Sequence, residues 1–278
     1  MAIRDILVHM DDHESCKTRI AAAVDMAIRH DAHLTGLFVM PSAAIPGYMD
    51  VQVPLDLVQM HEDRMKEKAQ SVEKIFDHAT QPSGVSSEWR CLQGYAPDII
   101  ADHGHYSDLI VIGQHDPAIS LGAGNDEIPD HVVLSSGRPV LIIPNNFAGG
   151  VIGKRVIVGW DRGQMATRAL HDALPVLQKA DAVSIMMVNP KSRPGGVGHS
   201  PGADIAHHLA RHGVSVEADH SVNEKIGVCE HLLSRAADMG ADLIVTGAYG
   251  HSRWREIMMG GVTRELLNTM PYPILMSH

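Results

Sequence analysis

Short apolar runs recur along this chain, separated by segments whose apolar residues return every three or four positions. In the first half the runs are Ile6–Val8, Leu34–Val39, Leu109–Ile112 and Val140–Ile143. In the second half they are Val156–Val158, Val183–Val188, Leu243–Val245 and Ile274–Met276. They are rich in β-branched residues, nearly continuous in apolarity and bounded by polar or turn residues. That pattern predicts parallel strands covered on both faces. Between them, Ile20, Ala23, Val24, Ala27 and Ile28 form one helical stripe, with Ser15 placed to cap it. Met165, Ala169, Ala173 and Leu177 form a second stripe, and Pro175 is expected to kink that helix or end it early. Met60–His78 reads as a long charged helix, and Glu224–Met239 as a helix stopped by Gly240. Strands alternating with helices predict βαβ units with right-handed crossovers and a doubly wound α/β fold.

The pattern occurs twice. Arg4–Asp11 resembles Lys154–Asp161, Asp108–Gly113 resembles Asp242–Gly247, and Arg138–Ile143 resembles Tyr272–Ser277, in the same order in each half. The first pair is offset by 150 residues and the later two by 134. The first half therefore carries about 16 extra residues. Pro41 to about Met60, with its prolines and glycine, reads as the long loop that holds them. Pro190–Pro201 is the corresponding loop of the second half, and Asn145–Gly150 reads as the linker. Two tandem α/β domains follow, residues 1–147 and 152–278.

Composition narrows the function. The chain has 278 residues, 45% apolar and 20% charged, enough to build a core. Its net charge is −10, which argues against a general nucleic-acid binder. No apolar run approaches the length of a membrane span, and the start lacks the layout of a signal peptide. Three scattered cysteines, Cys16, Cys91 and Cys229, suggest a reducing compartment, so the expected location is the cytoplasm. Cys91 and Cys229 are expected to pack in the interior. Among 19 histidines, His208 and His212 stand four apart on an expected helix and form half a metal site. No carboxylate or cysteine completes it nearby, so they are read as surface residues and no metal is expected. His9 and His13 are read as structural.

Ligands of open parallel sheets bind beyond the carboxyl ends of strands, at the switch point. In the second half, Asp161, Val188 and Gly247 stand at three such ends. Gly247, Gly250 and Gly260 are spaced G-x2-G-x9-G and lead through Gly261, Val262 and Thr263 into a short helix. Backbone amides at a helix start form an anion cradle, and glycines let a ligand approach. Asp161 is suited to accept hydrogen bonds from ribose hydroxyls or base N–H groups, although capping the next helix explains it equally well. Arg253 and Arg255 are read as solvated, and Met258 and Met259 as packing beneath the loop.

This spacing, with the strand-ending Asp, the D-L-I-V-x-G run and the final P-I-L strand, resembles the universal stress protein family across both halves. The resemblance implies five parallel strands per unit, cytoplasmic stress-related roles, and ATP, with or without magnesium, as cofactor in some members. It implies Asp161, Val188, Gly247, Gly250, Gly260, Gly261, Val262 and Thr263 as nucleotide-binding residues. Gly261 stands where the family has Ser or Thr. One lost neutral hydrogen bond, about 0.5–1.5 kcal/mol, lowers affinity several-fold without abolishing it.

The first half departs further. Asp116 replaces the second glycine, the x9 spacing is absent, and Ile128–His131 replaces the phosphate turn, with Pro129 removing a donor. An asymmetric protein is expected, with one binding unit and one degenerate unit. The readings are a stress-linked sensor or regulator that binds adenine nucleotide, a module of the non-nucleotide type serving unknown protein partners, and a slow ATP hydrolase. In the second reading the two units join through their last strands. No catalytic residue is identifiable, and neither nucleic acid nor membrane is an expected partner. Two self-similar units make a pseudo-dimer within the chain and are compatible with a further homodimer.

Overall fold

The computed structural model describes residues 2–41, 55–115, 128–190, 202–222, 226–249 and 262–278. In the first half, strand β1 (Asp5–Met10) leads to helix α1 (Cys16–His30), β2 (His33–Met40), α2 (Leu55–Thr80), β3 (Ser87–Gln93), α3 (Ala96–Gly104), β4 (Leu109–Gly113), α4 (Ile128–Ser135) and β5 (Val140–Ile143). The second half repeats the order with β6 (Arg155–Gly159), α5 (Gln164–Leu177), β7 (Ala182–Val188), α6 (Ala203–Arg211), β8 (Val216–Ser221), α7 (Val228–Asp238), β9 (Leu243–Gly247), α8 (Val262–Thr269) and β10 (Ile274–Ser277).

The strands form one ten-stranded sheet in the order β3-β2-β1-β4-β5-β10-β9-β6-β7-β8. Within each half all pairings are parallel. The halves join where β10 runs antiparallel to β5, with Leu275 opposite Leu141. Pairing these last strands satisfies backbone groups that two separate sheets would leave as open edges. The α/β class, the five parallel strands per half and the joining of the last strands agree with expectation.

Alternate side chains of each strand feed two cores. On one face, Ile6, Val8 and Met10 of β1 pack with the buried sides of α1, α2, α5 and α6. On the other, Leu7 packs with residues of α3, α4, α7 and α8. Gly36 permits the approach of α2. A Cβ there would lie 2.6 Å from the Phe76 ring, which also packs against Trp89.

The repeated Asp of the D-L-I-V run has a structural task in both halves. Asp242 Oδ1 accepts from the N–H of Gly153 (2.7 Å) and Lys154 (2.9 Å), and its Oδ2 accepts from Arg155 N–H (3.0 Å). Asp108 Oδ2 accepts from the N–H groups of Arg4 (2.8 Å) and Asp5 (3.2 Å). Each carboxylate thus fixes the start of the first strand beside the start of the fourth.

Three local expectations change. The long helix of the first half begins at Leu55, inside the segment read as loop. The α5 helix holds Pro175 inside it and ends two residues later, at Leu177, as expected of a proline near its end. Ser15 occupies the N-cap position of α1 without a side-chain cap bond. Its backbone is already helical (φ −65°, ψ −12°), and its Oγ instead lies 2.7 Å from His13 Nδ1. Cys91 is exposed, because β3 is an edge strand, whereas Cys16 and Cys229 are buried. Gly240, by contrast, does terminate α7's segment in the left-handed region (φ 59°). No helix among the described residues is long and apolar enough to cross a membrane.

Candidate functional site

The neighbours of β6 are β7 on one side and β9 on the other. The chain leaves β6 in one direction and β9 in the opposite one, so the carboxyl ends of these two strands flank a topological switch point. Asp161 lies two residues beyond β6, Val188 is the last residue of β7, and Gly247 is the last of β9. Val262 and Thr263 open α8. Gly250, Gly260, Gly261, Arg253, Arg255, Met258 and Met259 lie outside the described residues, as does Asp116 of the first half.

Asp161 is exposed, and its Oδ1 accepts the N–H of Gly163 at 2.7 Å. That bond forms an Asx turn leading into α5 and uses one carboxylate oxygen. Val188 is half-buried and packs against the second core. Gly247 has a packing role. A Cβ there would lie 2.5 Å from the backbone of Met165 and Ala166, the first turn of α5. Thr263 is buried, and its Oγ1 accepts the N–H of Tyr249 at 3.2 Å. The hydroxyl thus ties the end of β9 to the start of α8 and keeps its own O–H as a donor. Tyr249 itself holds φ 54°, a left-handed turn just past the strand.

The corresponding place in the first half is built differently. Asp11 repeats the Asx turn, accepting the N–H of His13 at 3.0 Å. Its other oxygen, however, lies 2.6 Å from Arg19 Nη2, and Arg19 is 3% exposed. The guanidinium also reaches the β4 end, where a Cβ on Gly113 would meet Arg19 Nη1 at 2.4 Å. Under the 150-residue offset, Arg19 aligns with Ala169, which is buried and carries no charge. Burial alone would raise the Asp11 carboxyl, but the Arg19 guanidinium, together with His9 and the His13 N–H, holds the group below the usual carboxylate range. His9, buried beside them, is lowered to about 4, chiefly by loss of solvent, and is neutral at pH 7.

Around this pair, Gln114 Oε1 accepts the N–H of Asn145 (3.3 Å), and Asn145 Nδ2 donates to the His115 carbonyl (3.3 Å). The remaining cleft has a volume of about 170 Å³, below the roughly 300 Å³ at which small-molecule sites begin. Arg19 escaped the sequence reading, although its signal was present. It sits four residues before Ala23, on the buried stripe of α1, where a charge requires a partner.

Two contacts carry these strand ends across the junction. Gln114 Nε2 donates to the carbonyl of Leu267 on α8 (2.8 Å). Tyr249 Oη donates to Asp130 Oδ1 on α4. Burial and the Asp130 carboxylate raise the phenol above its ordinary value. Neither cross-junction pair was legible in the sequence.

The architecture is that of an open α/β sheet with a topological switch point between the ends of β6 and β9. Residues 153–278 match the model of the universal stress protein family, so this half carries a domain of that family. The whole chain has the fold of a universal stress protein from Archaeoglobus fulgidus DSM 4304, with TM-score 0.74, 19% identity, and coverage of 98% of this chain and 95% of that one. A putative universal stress protein from Pseudomonas aeruginosa UCBPP-PA14 is similar at TM-score 0.57 and 16% identity, covering 99% and 93%. A comparison with curated proteins found no match.

Proposed function

We propose that the chain is two universal stress protein units, residues 1–147 and 152–278, of which the second binds an adenine nucleotide and acts as a stress-linked sensor or regulator. ATP, with or without magnesium, is the ligand favoured by the glycine spacing of the second half. The observation that carries this reading is the contrast between the two aspartates. Asp161 is exposed and Ala169, not a cation, holds the position that aligns with Arg19, whereas Asp11 is consumed by the buried Arg19. A ribose can use the free carboxylate oxygen of Asp161, with base and sugar towards Val188 and phosphates towards Val262 and Thr263. The reading as an interaction module without nucleotide draws on the β5–β10 pairing, which both readings accommodate.

Calorimetry with magnesium ATP tests the proposal. Wild-type protein is expected to bind, and Asp161→Ala to bind on the order of tenfold more weakly, as loss of a charge-assisted hydrogen bond predicts. No binding to folded protein at millimolar nucleotide refutes it. Equal affinity of the two proteins removes Asp161 from the site.

A further inference from the structure

Three histidines meet where α5 and α6 pack, and none belongs to the proposed nucleotide site. His171 lies on α5, His208 on α6, and His212 is the C-cap of α6. The ring centroids of His171 and His208 are 5.3 Å apart, and those of His208 and His212 are 4.7 Å apart. Two imidazoles that share one ion through bonds of about 2.0–2.1 Å hold their ring centres at roughly 5 Å. The sequence placed His208 and His212 one helical turn apart and supplied no third ligand. The fold brings in His171 from a separate helix.

The surroundings orient the rings. His171 Nδ1 lies 2.8 Å from the Thr167 carbonyl oxygen. A carbonyl only accepts, so Nδ1 carries the proton and Nε2 presents its lone pair. Histidines that ligate metals are commonly fixed in this way. Gln178 Nε2 donates to the His212 carbonyl at 3.0 Å and fastens the end of α6 to the end of α5. His208 Nε2 is shielded from solvent and has no hydrogen-bond partner among the described residues. His171 and His212 are exposed, so an ion can reach them. As they stand, no three histidine, cysteine or carboxylate side chains among the described residues converge to hold an ion. His208 and His212 are therefore the chelating pair, and their side chains, rather than the His171 ring held by the Thr167 carbonyl, adjust to bring the ion to His171 Nε2.

We propose that His208 and His212, with His171 as third ligand, bind a divalent transition-metal ion that clamps α6 against α5. Neutral imidazoles select ions of the zinc, copper and nickel class over magnesium and calcium. The remaining coordination positions face solvent and take water.

Zinc is the probe. The untagged full chain is titrated in competition with a chromogenic chelator, and thermal unfolding is followed with and without zinc. Wild type is expected to bind zinc and to melt at a higher temperature in its presence. The His208→Ala/His212→Ala double variant is expected to bind on the order of tenfold or more weakly and to lose the melting shift. His171→Ala is expected to fall between the two, and His207→Ala to match wild type. His208→Gln/His212→Gln replaces the alanine pair if circular dichroism shows the latter misfolded. Wild-type affinity and melting shift in the double variant overturn the proposal, as does wild type without zinc binding. An unchanged His171→Ala overturns the third ligand.

Discussion

The phenol of Tyr249 donates to the carboxylate of Asp130, so the turn that follows β9 in the second half is fastened to the first turn of α4 in the first half. The same turn is held from behind, where Thr263 Oγ1 accepts the Tyr249 N–H. The entry to the glycine-rich segment is therefore anchored on both units.

Tyr249→Phe removes only the hydroxyl and leaves the ring in place. A hydrogen bond to a charged group is worth about 1.5–3 kcal/mol, and Asp130 is half-buried, so part of the loss is recovered by water. The variant is expected to be about 1–2 kcal/mol less stable in urea unfolding. A change below about 0.5 kcal/mol would mean that the bond contributes nothing to joining the halves.

Acid is expected to weaken the fold through His9. Its folded value of about 4 lies below the ordinary 6.5, so between these limits the unfolded chain binds the extra proton. Stability is therefore intact above about pH 6.5 and is lost as pH falls towards 4, by about 2 kcal/mol between pH 7 and 5 from this residue. His30, also buried and lowered to about 4, acts in the same direction. Urea unfolding of wild type and His9→Gln at pH 7 and pH 5 measures the His9 share. Equal pH slopes in the two proteins would exclude it.

Gly247→Ala separates packing from ligand approach. The added methyl meets the backbone of α5's first turn at 2.5 Å, and backbone cannot step aside as a flexible side chain does. Overpacking of this kind costs about 1–3 kcal/mol. Thermal unfolding is expected to show that loss even without nucleotide. A variant as stable as wild type that binds ATP poorly would reassign Gly247 to the ligand.

Much of the fold was legible because its central strands carry continuous apolar runs. The edge strands β3 and β8 lacked that mark. Their residues, Ser87–Gln93 and Val216–Ser221, are largely exposed or half-buried, with Glu88, Arg90, Glu217 and Asp219 among them. An edge strand needs an apolar neighbour on one side only, so periodicity does not reveal it. Cys91 was misplaced for the same reason. In the candidate site, Asp161, Val188 and Gly247 were legible as strand-end residues. Arg19 was overlooked because its partner Asp11 is close in sequence but aligned only by the strand-to-helix turn.

By its own order of residues the chain determined the α/β class, the duplication, the place of the strand ends and the unequal chemistry of its two halves. These depend on local periodicity and on a repeat visible in one dimension. Tertiary structure alone decided that Arg19 closes one aspartate while its counterpart stays open, that Tyr249 reaches Asp130, and that the His171 ring lies beside that of His208. Each of these is a contact between segments that folding brings together, and its geometry depends on how helices settle on a twisted sheet.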